Sequence, residues 1–112
     1  MTKIELENRV PLYKSGDMQL GETVTETVKD VREVDFRGDP EEVPKYKWVL
    51  VFENGKGLAL SYSNVVFLIE HGMEEYESLI GMSVTFGKEA RSISASDGKK
   101  HDVVGLFLKE IH

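Results

Sequence analysis

Apolar and polar residues alternate along several stretches of this chain, and the alternation predicts strands. The clearest stretch runs from Tyr46 to Tyr62, YKWVLVFENGKGLALSY. Tyr46, Trp48, Leu50 and Phe52 fall on one phase of a period of two, and Lys47, Val49, Val51 and Glu53 on the other. Successive strand side chains point to opposite faces, so the first set is expected to face a core. Asn54-Gly55 predicts a hairpin turn, because a type I′ turn needs positive φ at both central residues. Lys56-Gly57 leaves a slightly longer loop open as an alternative. Leu58, Leu60 and Tyr62 then resume the alternation.

Upstream, residues 1–21 are mixed: Ile4 and Leu6 alternate with charges, as in a short edge strand. Pro11, Gly16 and Gly21 then punctuate a loop anchored by Leu12 and Tyr13. Residues 22–36 are rich in Val and Thr, which favours strand over helix. Val24, Val28, Val34 and Phe36 share a phase, whereas Val31 lies on the other. A long strand that changes its buried face is expected to contain a bulge or a strong bend. Residues 37–45 hold Gly38, Pro40 and Pro44 among charges and form a loop.

Downstream, Ser63-Asn64 is an N-cap pair and Gly72 a C′ residue, which predicts a short helix with Val65, Leu68 and Ile69 on one face. Its β-branched content keeps a strand open as the alternative. Tyr76, Leu79 and Ile80 predict a further helical turn before Gly81. Met82, Val84 and Phe86 predict a strand, bent at Gly87. The polar stretch Ser92 to Lys100 contains a second hairpin signal, Asp97-Gly98. The last strand, Asp102 to Ile111, is apolar on both phases from Val103 to Leu108 and is expected to be central.

The predicted fold is therefore all-β with one short helix. Five strands with a helix between strands three and four match the five-stranded Greek-key barrel of the OB type, whose long first strand pairs on both sides. Another small barrel or an open α+β sheet is the competing architecture. Residues 1–21 are expected to form an N-terminal extension and residues 22–112 an OB-like barrel domain. One domain is what 112 residues provide.

Charge and composition narrow the function. The net charge of −6 counts against tight electrostatic binding of duplex nucleic acid, but leaves single-strand binding open. The absence of cysteine removes disulfides, thiolate metal sites and cysteine nucleophiles, and fits a cytoplasmic location. No apolar run reaches the ~20 residues that span a bilayer, so no membrane association is expected. His71, His101 and His112 have no ligand spacing, and Gly55-Lys56-Gly57 and Gly98-Lys99 lack the spacing of a phosphate loop. Neither an enzyme nor a cofactor is expected. Glu70, Glu74, Glu75 and Glu77 lack the alternating ligand loop of a calcium site, and predict a solvated face or a docking surface for a basic protein partner. Basic residues gather before strand two (Arg37, Lys45, Lys47) and around the last hairpin (Lys88, Arg91, Lys99, Lys100). In the OB fold those two loops flank the binding face. Tyr46 and Tyr62, at the entrance and exit of the central hairpin, are the candidate stacking residues. Trp48 and Phe52 share a phase with Leu50 and are assigned to the core. An oligomer is compatible with all of this.

The stretch from Lys47 to Gly105 resembles a family of small phage and prophage proteins with an OB-like fold. Leu50 and Phe52, Leu58 and Leu60, and Ser61-Tyr62-Ser63-Asn64 carry the first part of the resemblance. Glu74, Glu75 and Tyr76, Leu79-Ile80-Gly81, then Met82, Val84 and Phe86 carry the second, with Val104-Gly105 in the final strand. The chain departs from the family at Ser61-Tyr62, where Asn-Lys is usual, and at Leu79, where Trp is usual. The resemblance implies an accessory protein of phage DNA replication or recombination that binds single-stranded DNA, located in the host cytoplasm. A non-enzymatic protein-interaction or structural module on the same barrel is the alternative.

Overall fold

The computed structural model of the chain describes residues 11–36, 38–94 and 98–112. It is mostly β, with one α-helix and a five-stranded antiparallel sheet. The strands are β1 (Thr23–Asp35), β2 (Tyr46–Phe52), β3 (Gly57–Ala59), β4 (Ser83–Ser94) and β5 (Lys100–Ile111). Helix α1 (Tyr62–Glu70) and a 3-10 turn (Tyr76–Leu79) fall between β3 and β4, and a short 3-10 turn (Ser15–Asp17) precedes β1. The strand order is β3-β2-β1-β4-β5. No helix among the described residues is long and apolar enough to cross a membrane.

Strand β1 organises the sheet. Its first half, Thr23 to Thr27, pairs with β4, and its second half pairs with β2. The register shifts between Val28 and Asp30, so Lys29 is the extra residue of a bulge. The bulge resets the phase. Val28 and Val31, out of phase in the sequence, both pack in the core, while Phe36 is left at the surface.

The central hairpin takes the longer of the two expected turns. Gly55 alone adopts positive φ (+87°), and Asn54 does not, which excludes type I′. Gly55 N–H donates to the Phe52 carbonyl (3.0 Å), and Phe52 N–H to the Lys56 carbonyl (2.8 Å). This is a type I turn closed by a left-handed glycine bulge. The Asn54 side chain stabilises it by accepting from Lys56 N–H at 2.9 Å.

The core is built from Val28, Leu50, Phe52, Leu58, Val84, Phe86 and Leu108, sealed at one end by Leu68 and Leu79. Phe52 and Phe86 stack at 5.6 Å. Val49 and Val51 are buried as well, so the second half of β2 is covered on both faces, not on the one face that its alternation predicted. The segment before β1 also enters the core. Met18 is buried, and Tyr13 lies edge-on to both Phe52 and Phe86. Leu12 forms a parallel bridge with Gly57. The expected edge strand around Ile4 and Leu6, and Asp97 of the last hairpin signal, lie outside the described residues.

Four expectations are corrected. First, the sheet is open, not a closed barrel: among the described residues no ladder joins β3 to β5. The reason is that β3 has only three residues before the chain turns into α1. Second, β5 is an edge strand, not a central one. Its two-sided apolarity reflects burial of Leu108 on one face and Phe107 on the other, where the Arg91 guanidinium covers the Phe107 ring at 4.0 Å. Third, the helix starts earlier than expected. Ser61 is the N-cap, its hydroxyl accepting from Asn64 N–H at 3.4 Å, whereas Ser63 and Asn64 lie inside the helix. The helix ends where expected: Gly72 has φ +79°, Gly72 N–H donates to the Ile69 carbonyl and Met73 N–H to the Leu68 carbonyl, a Schellman motif. Strand β4 also runs on through Ser92 to Ser94, which the sequence pattern assigned to a turn.

Candidate functional site

Asn64 explains how α1 sits where it does. Its side chain is 1% exposed, and it is the buried polar residue of the described core. Its Nδ2 donates to the Leu106 carbonyl (3.1 Å), and its Oδ1 accepts from Leu108 N–H (2.8 Å). The side-chain amide thus pairs with β5 as the backbone of a neighbouring strand would. It occupies the edge that β3 does not reach, and satisfies groups that would be costly to bury alone.

With α1 pinned to β5, its two exposed flanks each border a depression. One flank, with Tyr62, Ser63, Val66, Phe67 and Glu70, faces Arg91 of β4 across a groove of about 280 Å³. Tyr62 is 84% exposed, on the first turn of the helix. Arg91 is fixed from two sides: its Nε donates to Glu89 Oε2 at 2.9 Å, and its guanidinium stacks on Phe107. Lys109 pairs with the second Glu89 oxygen. Hydrogen bonds from Lys109 and Arg91 hold the Glu89 carboxyl below the usual carboxylate range, outweighing the desolvation that pushes it up. Phe67 stacks on His71 at 3.9 Å, and His71 Nδ1 lies 2.8 Å from the Phe67 carbonyl.

The other flank of α1 borders a narrower apolar depression of about 130 Å³. Val65, Leu68, Met73, Tyr76 and Leu79 line it, and Ile69, Glu74 and Glu75 stand at its margin. Trp48 stacks on Tyr76 at 4.4 Å and so fixes one wall.

The residues expected to bind nucleic acid are distributed unevenly. Tyr62 and Arg91, far apart in the sequence, meet across one groove. Lys88 is turned inward: its Nζ donates to the Met18 carbonyl at 3.0 Å, tying the segment before β1 to β4. Lys45 pairs with Glu42 at 3.3 Å, and Lys47 stands 5.7 Å from the centre of the Phe36 ring. Tyr46 is 60% exposed at the start of β2, opposite Asp35. Lys99 and Lys100 are exposed where β5 begins. Arg37 lies outside the described residues. Of the expected protein-contact residues, Glu74 and Glu75 border the apolar depression, Glu70 belongs to the Tyr62 groove, and Glu77 lies on the 3-10 turn.

Sequence reasoning missed Asn64 by assigning it to a cap. The available signal was a polar residue on the same helical face as Leu68, four positions on. It also assigned Lys88 to the surface, although Lys88 continues the inward phase of Val84 and Phe86. Comparison with protein-family models, with curated proteins and with solved structures gave no match.

Proposed function

We propose that this chain is a non-enzymatic, OB-like protein that binds single-stranded DNA, of the accessory kind that serves phage replication or recombination. The groove between Tyr62 and Arg91 carries the reading. An exposed phenol ring and a guanidinium seated over the Phe107 ring form two walls, and single strands are bound by stacking bases on such surfaces. Glu70 in the same groove repels phosphate, so a base rather than the backbone enters there. Arg91 supplies positive charge at the groove wall, and the exposed Lys100 a phosphate contact outside it.

The fold supports the same reading. β1 bends at its bulge to serve β4 with one half and β2 with the other, as the first strand of an OB barrel does. The OB barrel is itself partly open, and in this chain the gap lies between β3 and β5. Here α1 stands in that gap, through Asn64.

Substitution of the groove walls tests the proposal. Tyr62→Ala removes one stacking surface and is expected to weaken binding of labelled oligo-dT by ~1–3 kcal/mol, about fivefold or more. Arg91→Gln is expected to weaken binding and to flatten its salt dependence. Unchanged affinity in both variants, with melting curves showing them folded, would overturn the assignment of the groove.

A further inference from the structure

We propose that the apolar depression on the opposite flank of α1 is a docking site for a short basic, amphipathic segment of a partner protein. It shares no residue with the Tyr62–Arg91 groove and stands independently of the nucleic-acid reading.

The first ground is its lining. Leu68 and Leu79 form a buried floor, Val65, Met73 and Tyr76 are partly exposed above it, and Ile69 at the margin is 65% exposed. A volume of about 130 Å³ is below the roughly 300–1,000 Å³ of small-molecule and cofactor sites, and suits one or two aliphatic side chains. The walls are preformed, because the Schellman turn holds Met73 over Leu68 and the Trp48 stack holds Tyr76.

The second ground is charge. From Lys56 to Lys88 the chain has no intervening Lys or Arg, yet Glu74 and Glu75 stand at the margin of the depression and Glu77 lies on the adjoining 3-10 turn. Among the described residues none of these carboxylates has an ion-pair partner, whereas Asp30, Glu42 and Glu89 do. Apolar anchors framed by uncompensated acids select a ligand with aliphatic side chains on one face and Lys or Arg beside them. A second copy of this chain is disfavoured, because it would bring the same acidic margin to the interface.

The probe is a short fluorescein-labelled peptide of leucine and lysine at amphipathic helical spacing. An alanine-lysine peptide of equal charge and a leucine-glutamate peptide serve as controls. The leucine-lysine peptide is expected to bind, shifting the amide resonances of Val65, Ile69 and Met73, and both controls are expected to bind far more weakly. Combining Glu74→Lys with Glu75→Lys, both exposed positions, is expected to weaken binding at least about tenfold, or ~1.4 kcal/mol. Ile69→Ser is expected to weaken it while leaving charge unchanged. Equal binding of the alanine-lysine peptide, resonance shifts confined to other surfaces, or no binding of the leucine-lysine peptide would overturn the proposal.

Discussion

Replacing Asn64 by Ala would leave the Leu106 carbonyl and the Leu108 N–H without partners at an edge that α1 shields from water. A buried group left unpaired costs about 1–3 kcal/mol, so the pair sets a loss of roughly 2–4 kcal/mol after partial relaxation. Alanine's better helix propensity returns about 0.5 kcal/mol at most. Against a typical total of about 5–15 kcal/mol, the change is large enough to read from urea unfolding midpoints. A second variant separates hydrogen bonding from packing. Asn64→Leu fills the volume but supplies no donor or acceptor, and it is expected to be destabilised by a similar amount. Amide exchange at Leu108 gives the local reading, since its protection is expected to fall further than that of β4 amides. Wild-type stability in Asn64→Leu, together with unchanged protection at Leu108, would overturn this role for Asn64. The helix would then be held by apolar contact alone.

Three further outcomes follow from the same structure. Gly87→Ala places a Cβ 2.7 Å from the Glu22 carbonyl and 2.9 Å from Thr23 Cγ2, so β1 must shift from β4. A loss of about 1–3 kcal/mol in chemical denaturation is expected. Glu89 titrates at a lower pH in the folded chain than in the unfolded one, so its contribution is present above about pH 4.3 and is lost as pH falls through the folded value. The stability deficit of Glu89→Gln is therefore expected to be full at neutral pH and to shrink below pH ~4, as measured by urea midpoints across pH. Burial, reinforced by donation to Glu26 Oε1 at 3.0 Å and opposed by the bond from Asn54, raises the Tyr13 phenol above its usual range. Absorbance titration of wild type against Tyr13→Phe is expected to assign the missing phenol a midpoint above pH ~10, with its stabilisation intact below that value and lost above it.

Local patterns carried much of the fold. The hairpin of β2 and β3, the bulge needed to reconcile Val28 with Val31, and the glycine stop at Gly72 were all legible, because each depends on neighbouring residues. The place of β5 was not. Two-sided apolarity reports burial and does not distinguish a strand paired on both edges from one whose free edge a helix covers. The open sheet escaped for the same reason: it follows from the shortness of β3 and from one asparagine that bonds a strand 42 and 44 residues away. In the candidate site, residue type nominated Tyr62 and Arg91, but only the fold brings them together. Charge counting overstated Lys88 and Lys45, whose ammonium groups serve the Met18 carbonyl and Glu42.

The most direct test of the central reading is an anisotropy titration of labelled oligo-dT with the wild-type chain, at low and moderate salt, beside a duplex of the same length. Saturable binding to the single strand that weakens as salt rises, with weaker binding to the duplex, is expected. No single-strand binding at low salt, or a preference for the duplex, would contradict that reading.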